Sequence, residues 1–270
     1  VTPTRRVEGP TADVAPADWD HHWDAYGEAA EGNPANVYRH RLILGLLGPL
    51  RRGETLLDIG SGQGEFAIAF KRLHPETDVW GVEFSALGVQ RSQKSAATQG
   101  VDAKFVRRDL LAPVQLEEGQ PAATYAVCSE VLEHVEDPTT LMRNAVSLLA
   151  PGAKLVVTVP GGPRSAFDRH IGHWRHFDAI TLRQVLTDAG LHVDRIQRAG
   201  FPGFNLYKLA VIARGKGLIR ELDSRQPGAR PSRSEVMATT LFQGLFRLNR
   251  DDSPLGWQLA AVAHTPDGGI

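Results

Sequence analysis

The sequence predicts an α/β fold of alternating strands and helices carrying a nucleotide-type cofactor, and three observations predict it. The run Thr55-Leu-Leu-Asp-Ile-Gly-Ser-Gly-Gln-Gly-Glu65 is an apolar strand with Asp58 near its end, closing on Gly60, Ser61, Gly62 and Gly64. Three glycines permit a tight turn and let a ligand lie against bare backbone. Glu65-Phe-Ala-Ile-Ala-Phe-Lys-Arg72 continues at helical spacing, so a helix N-terminus faces that turn. Next, further apolar strands end in acidic residues: Asp78-Val-Trp-Gly-Val-Glu-Phe84, Ala103-Lys-Phe-Val-Arg-Arg-Asp109, and Ala123-Thr-Tyr-Ala-Val-Cys-Ser129 running into Glu130. Finally, 270 residues with 42% hydrophobic and 23% charged content can bury one sizeable core with some embellishment, without a second full domain.

The elements follow in order. Residues 1–17 are rich in Pro, Thr and Ala with little apolar content and are expected to lack fixed structure. Asp18 to Tyr26 sets Trp19, Trp23 and Tyr26 at helical spacing, the pattern of an amphipathic helix. Asn33-Pro-Ala-Asn-Val-Tyr-Arg39 then leads into a helix over 41–50. After the four strands above, Leu148-Leu-Ala-Pro-Gly-Ala-Lys-Leu-Val-Val-Thr-Val159 reads as a helix end, a Pro-Gly turn and a β-branched fifth strand. A helix from Thr181 stops at Gly190, His192–Arg198 is strand six, and Trp257–His264 is the last strand. Residues 201–254 between them are too long for a short hairpin. They hold an amphipathic stretch from Phe201, the Pro/Arg/Ser-rich segment Arg225–Arg233, and a capping box, Ser232 to Glu235, heading a helix over 236–249.

A formal net charge of -1 offers no general attraction to nucleic acid, and no basic extension rich in stacking aromatics is present. The single cysteine, Cys128, lies in an apolar strand and reads as a core residue. No segment approaches the ~20 apolar residues of a spanning helix, and the N-terminus lacks an apolar signal core, so a soluble cytoplasmic chain is expected.

Spacing narrows the cofactor. A dinucleotide fingerprint places its third glycine three residues after the second, where this chain has Glu65; the third glycine comes early, at Gly64, and Asp58 precedes the first by two. This strand-D-x-G-x-G-x-G arrangement resembles motif I of the class I S-adenosylmethionine-dependent methyltransferases. With the four blocks that follow it, the resemblance covers roughly residues 50 to 200 and the final strand, and it is strongest to small-molecule O-methyltransferases of the ubiquinone-biosynthesis type. It implies a seven-stranded, doubly wound, Rossmann-like sheet with an antiparallel last strand. It divides the chain into an N-terminal helical lid (18–50), a cofactor-binding core (51–200), a helical insertion or substrate cap (201–254), and the last strand with a tail (255–270). Glu83, about 20 residues past the turn, is placed to bind both ribose hydroxyls, with Phe84 beside it. The resemblance puts Arg108, Asp109 and Leu110 near the adenine, and Ser129 and Glu130 against the methionine half of S-adenosylmethionine. Related enzymes carry an arginine in the Asn-Pro segment that grips the cofactor carboxylate. This chain has Asn36 there, so the role passes to Arg39, next to Tyr38.

A sulfonium methyl is already activated, so much of catalysis is holding the acceptor in line with it. A hydroxyl acceptor must also lose its proton. Two candidate groups exist. Glu130, Glu133 and His134 would share one face if a helical turn begins there, and Asp168-Arg-His-Ile-Gly-His-Trp-Arg-His-Phe177 carries three histidines after strand five. In one reading Glu130, Glu133 and His134 join His176 or His173 to hold Mg²⁺ or another divalent cation, a pattern similar to the metal site of small-RNA 2'-O-methyltransferases. In a second, His173 or His176 is a metal-free base, with His134 nearby. In a third, catalysis is orientation alone. The insertion has two readings as well: a cap, or a basic amphipathic helix (Phe204, Tyr207, Val211 and Leu218 flanked by Lys208, Arg214, Lys216 and Arg220) touching an anionic membrane. The expected activity is methyl transfer to an oxygen of a small molecule, such as a sugar or other secondary metabolite. The alternatives are N- or C-methylation and a non-catalytic cofactor-binding partner. Oligomeric state stays open, a homodimer being compatible.

Overall fold

The computed structural model describes residues 19, 20, 23, 33–50, 52–223 and 233–267, with the side chains of 216, 222, 223 and 233–235 excepted. The expectations for residues 1–17, for Tyr26, for the Pro/Arg/Ser-rich segment up to residue 232 and for Ser232 as a cap lie outside the described residues. The elements are α1 (Pro34–Leu47), β1 (Thr55–Ile59), α2 (Glu65–Leu73), β2 (Asp78–Glu83), α3 (Ala86–Gln99), β3 (Lys104–Arg107), β4 (Ala123–Ser129), α4 (Pro138–Val146), β5 (Leu149–Pro160), α5 (Ala166–His170), α6 (Ala179–Asp188), β6 (His192–Ala199), α7 (Gly203–Asp223), α8 (Arg233–Phe246) and β7 (Gln258–His264). A short 3₁₀ turn, Leu132–His134, follows β4.

The seven strands form one sheet in the order β3-β2-β1-β4-β5-β7-β6. Neighbouring strands through β5 run parallel, and β7 is antiparallel to both β5 and β6. This is the expected doubly wound sheet with a reversed last strand. Every residue of β1 is buried, which is why, apart from Thr55 and Asp58, its sequence is apolar rather than alternating. Two apolar cores cover the two faces. One groups Leu57, Ile59, Cys128, Leu132, Met142 and Leu182, and the other groups Leu42, Ile43, Leu56, Phe66, Phe70 and Val127. Leu56 and Leu57 are neighbours in β1 and fall in different cores because successive strand side chains point to opposite faces.

Two segments differ from the sequence reading. The helix expected over 41–50 starts at Pro34, because Asn33 Oδ1 accepts the Ala35 amide at 2.9 Å and proline is suited to the first helical turn. In the insertion, α7 is interrupted at Gly215 (φ 41°, ψ -120°), so Leu218 does not continue the stripe of Phe204 and Tyr207. Those two rings instead pack with Tyr38 of α1 and with Phe242 and Phe246 of α8. The basic stripe dissolves too: Lys208 turns inward to Asp168, and Arg214 pairs with Glu221. No helix among the described residues is long and apolar enough to cross a membrane.

Gly64 shows how the first turn is fixed. It has φ +79°, and a Cβ there would lie 2.7 Å from Phe105 Cζ and 2.8 Å from Ser92 Cβ. The third glycine therefore serves close packing of α2 on the sheet and does not line the ligand cavity. Gly64→Ala is expected to cost roughly 2–4 kcal/mol. Gly100→Ala, left-handed at φ +63° but with nothing within 4 Å, should cost about 1–2 kcal/mol. Equal losses in urea denaturation would remove the packing role of Phe105 and Ser92.

Candidate active site

From β1 the chain winds outward to β2 and β3, then returns to lay β4 on the other side of β1. The helices leaving β1 and β4 diverge at that switch point, opening a crevice at the carboxyl ends of the strands. A cavity of about 580 Å³ lies there, walled by the tips of β1, β2 and β4, the loop after β3, and Trp19, Trp23 and Trp174.

At one end the β1 turn and the tip of β2 are locked together. Gly60 N and Ser61 N both donate to Val82 O, at 2.9 and 3.0 Å. Glu83 accepts the Gly62 amide at 2.9 Å on one carboxylate oxygen and the Ser85 amide at 2.8 Å on the other. Burial pushes the Glu83 carboxyl up, opposed by these amides and by the Trp23 side chain as a further donor. Asp58, buried but still on the cavity wall, is pushed up to about 7 by burial first and by the Glu83 charge second, with the Ala67 amide opposing. Phe84, Arg108, Asp109 and Leu110 complete this end of the cavity. Asp109 Oδ1 accepts the Leu111 amide at 2.9 Å, which sets the turn after β3.

At the other end are Ser129 and Glu130. Glu130 has φ 57°, an uncommon conformation for a residue with a side chain. Its carboxylate lies 3.4 Å from Arg39 Nη1 and accepts Gln258 Nε2 at 2.8 Å and Thr158 Oγ1 at 3.3 Å. Arg39, from α1, also donates to Asn36 Oδ1 at 2.5 Å, and both residues line the cavity. Tyr38 does not. It is buried among Phe204 and Phe246 with its hydroxyl 3.2 Å from Asp251 Oδ1, because on α1 it faces the core while Arg39 faces the crevice. The assignment of Tyr38 to the cofactor is corrected accordingly.

The three histidines expected to carry chemistry come together, but in a different grouping from the one the sequence suggests. Glu130 stands in a left-handed kink before the 3₁₀ turn and points to Arg39, so Glu130, Glu133 and His134 do not share a helical face. Ligand atoms of Glu133, His134 and His173 lie within 4.8 Å of one another, as do those of Asp168, His173 and His176. Of the expected metal set, Glu133 and His134 gather with His173, the alternative to His176, while Glu130 stands outside the group. The His134 ring packs edge-on against His173 at 4.4 Å between centroids, and against Trp19 at 4.9 Å. His134 lines the cavity, whereas His173 and His176 stand behind it.

Hydrogen bonds set the tautomers of the rear pair. His176 Nδ1 is 3.1 Å from the Gly162 carbonyl, which can only accept, so the proton sits on Nδ1. Its Nε2, 3.3 Å from His173 Nδ1, then accepts, and His173 Nε2 keeps a lone pair. Burial lowers both imidazoles, so both stay neutral. Glu133 is wholly buried, and among the described residues neither of its carboxylate oxygens has a hydrogen-bond partner. Burial, then the charge of Glu130, pushes its carboxyl far above the usual range. Its carbonyl accepts the Trp174 amide at 2.8 Å, tying the turn after β4 to the histidine loop.

Several contributors were not singled out by the sequence. Asp20 accepts Ser85 Oγ and the Leu87 amide at the start of α3. Arg91 donates to the Trp23 carbonyl. These contacts lay Trp19 and Trp23 along the cavity from the histidine end to the Glu83 end. The buried pair Asp168–Lys208 was equally hidden. Among the described residues of the insertion none lines the cavity, and Lys208 braces the histidine loop from behind.

A family model described as a methyltransferase domain matches residues 32–201. A ubiquinone biosynthesis O-methyltransferase of Alkalilimnicola ehrlichii is 28% identical over 154 residues, covering 57% of this chain and 59% of that protein. A 27-O-demethylrifamycin SV methyltransferase of Amycolatopsis mediterranei is 33% identical over 141 residues, covering 51% of this chain and 49% of the relative. The chain thus spans less than two thirds of these relatives' length. Among solved structures, phosphoethanolamine N-methyltransferase 2 of Haemonchus contortus, in complex with S-adenosyl-L-methionine, shares the fold with a TM-score of 0.61 at 16% identity, covering 93% of this chain and 60% of that one.

Two measurements test the carboxylates. Glu83→Gln should weaken S-adenosylhomocysteine binding by about tenfold or more, the scale of a hydrogen bond to a charged group; unchanged affinity in calorimetry would overturn the assignment. For Asp58 the folded carboxyl sits near 7, above the unfolded value of about 3.9. Its contribution to stability is complete below the lower value and is lost as pH rises through the upper one. Asp58→Asn should match wild type at pH 4 and exceed it in urea denaturation at pH 8. A constant difference across that window would rule out the raised carboxyl.

Proposed function

This chain belongs to the class I S-adenosylmethionine-dependent methyltransferases, and from that membership we propose that it methylates an oxygen of a small molecule, such as a sugar or other secondary metabolite. The oxygen follows two relatives, whose names describe a ubiquinone biosynthesis O-methyltransferase and a 27-O-demethylrifamycin SV methyltransferase. The observation that carries the reading is His134 on the cavity wall beside Ser129 and Glu130, backed by neutral His173 and His176. N- or C-methylation would have less need of such a base.

The cavity residues fit the cofactor. Bare backbone at Gly62 adjoins a carboxylate already held by two amides, an arrangement suited to a vicinal diol. When bound, S-adenosylmethionine supplies a methyl group activated by its sulfonium. Glu83 binds the ribose, Asp109 and Leu110 border the adenine, and Arg39, steadied by Glu130 and Asn36, meets the carboxylate. His134 takes the acceptor hydroxyl proton, a task for which neutral imidazole is suited near neutral pH. Trp19, packed edge-on with His134, and Trp174 share the cavity wall with it and offer apolar surface to an acceptor. No nucleic acid or membrane surface is required by this reading.

A second reading is favoured by one observation: the buried Glu133 carboxylate, unpartnered among the described residues, sits beside His134 and His173. One carboxylate and two imidazoles form a donor set that fits a divalent transition ion. Such an ion would hold Glu133 ionised and polarise the acceptor oxygen.

His134→Ala should lower kcat by about 10²–10⁴-fold, the usual worth of a general base, with S-adenosylhomocysteine affinity within about twofold. Preserved kcat would remove the base role. Dialysis against EDTA separates the two readings: a rate untouched in protein shown to be metal-free eliminates the ion, while loss restored by one divalent metal favours it.

A further inference from the structure

Lys208 lies in α7, within the insertion, yet its side chain reaches the histidine loop. Nζ is 2.7 Å from Asp168 Oδ1, and the two side chains are 13% and 2% exposed. The other oxygen, Oδ2, accepts the Ser165 amide at 2.7 Å and lies 3.7 Å from His176 Nε2. The Asp168 carbonyl accepts the His173 amide at 2.9 Å. One residue thus touches both rear histidines, and Lys208 is the cation that fixes it.

A buried ion pair is weak support for stability in itself, since desolvating both charges offsets most of their attraction. Nor does α7 need this pair to stay seated. Asn205 donates to the Leu255 carbonyl at 2.7 Å and accepts the Trp257 amide at 3.1 Å, while Phe204 and Tyr207 pack into the aromatic cluster with α1 and α8. What Lys208 adds is a single direction for Asp168. We propose that Lys208 is a positioning residue for the imidazole trio: through Asp168 it holds His173 and His176 in the orientation that backs His134. Without the ammonium, the buried carboxylate is left facing His176 Nε2 at 3.7 Å and favours the tautomer of that ring with its proton on Nε2, where the ring otherwise keeps a lone pair. That contact competes with the His173–His176 hydrogen bond and loosens the ring behind His134. The insertion then acts on the reaction from behind the site.

The rate effect rests on the proposed methyl transfer, whereas the ring geometry does not, and the test reads the two separately. Long-range proton–nitrogen spectra of full-length protein, with imidazole signals assigned from single histidine variants, should show His173 and His176 protonated on Nδ1. In Lys208→Gln these signals should shift or average, and in Lys208→Arg they should stay near wild type. With a hydroxyl acceptor, Lys208→Gln should lose about tenfold or more in kcat, the scale expected of a small misplacement near the chemistry, with KM and S-adenosylhomocysteine affinity within about twofold. Unchanged imidazole signals in folded Lys208→Gln overturn the proposal whatever the rate does. Should Lys208→Gln fail to fold, the Asp168→Asn/Lys208→Gln pair, which buries no charge, is read by the same spectra and the same criterion. A wild-type protein inactive on every hydroxyl acceptor would refute the proposed reaction and leave the spectra to decide on Lys208.

Discussion

A carboxylate taken out of water must be met by donors, by a cation or by a proton. Four buried carboxylates around this crevice show each solution. Glu83 has donors, the amides of Gly62 and Ser85. Asp168 has a cation: burial would raise it, and Lys208 with the Ser165 hydrogen bonds holds it instead at about 2. Asp58 and Glu133 have neither in sufficient measure, so burial drives both toward the protonated form. The rest of the site depends on how these demands are met, because each partner comes from a different element and fixing it draws those elements together.

The consequence is visible in what the elements do for one another. The amides that hold Glu83 belong to the turns before α2 and α3, so the geometry of this carboxylate is also the geometry of the first two crossovers. Glu130 accepts from Gln258 of β7 and Thr158 of β5 while facing Arg39 of α1, which makes the last strand and the first described long helix parts of the same wall. A left-handed backbone at a non-glycine residue costs about 1–2 kcal/mol. Here several partners together hold it in place.

Legibility in the sequence follows the range of the interaction. Asp58, the glycine turn, Glu83, Asp109 and Glu130 all sit at the ends of strands in order along the chain, so a local pattern with its spacing announces them. The sheet follows too, since its central strands β1, β4, β5 and β7 are largely apolar runs. Tyr38 and Arg39 are adjacent, and no local rule says which faces the crevice; that is settled by Phe204 and Phe246, more than 150 residues away. Glu133 and His134 looked like part of a helical face with Glu130 because a spacing of three and four assumes helical backbone, which the φ of Glu130 breaks. In the sequence Lys208 belongs to a basic stripe, because its partner, Asp168, lies on another element, 40 residues earlier.

The two ends of the cavity are therefore built from different kinds of support. Around Glu83 the walls are strand tips and backbone amides, which tolerate little change without disturbing the sheet. Around His134 they are loop side chains: Trp19 from the N-terminal segment, Trp174 and His173 from the loop after α5, and Lys208 beneath them. Loops carried on a rigid scaffold can change shape and chemistry at small cost to the fold. A methyl donor common to a family belongs at the rigid end, and the acceptor that distinguishes one member from another belongs at the end held by side chains. The depth of that second support, reaching through Asp168 into α7, ties the proposed acceptor end to residues that no acceptor would touch.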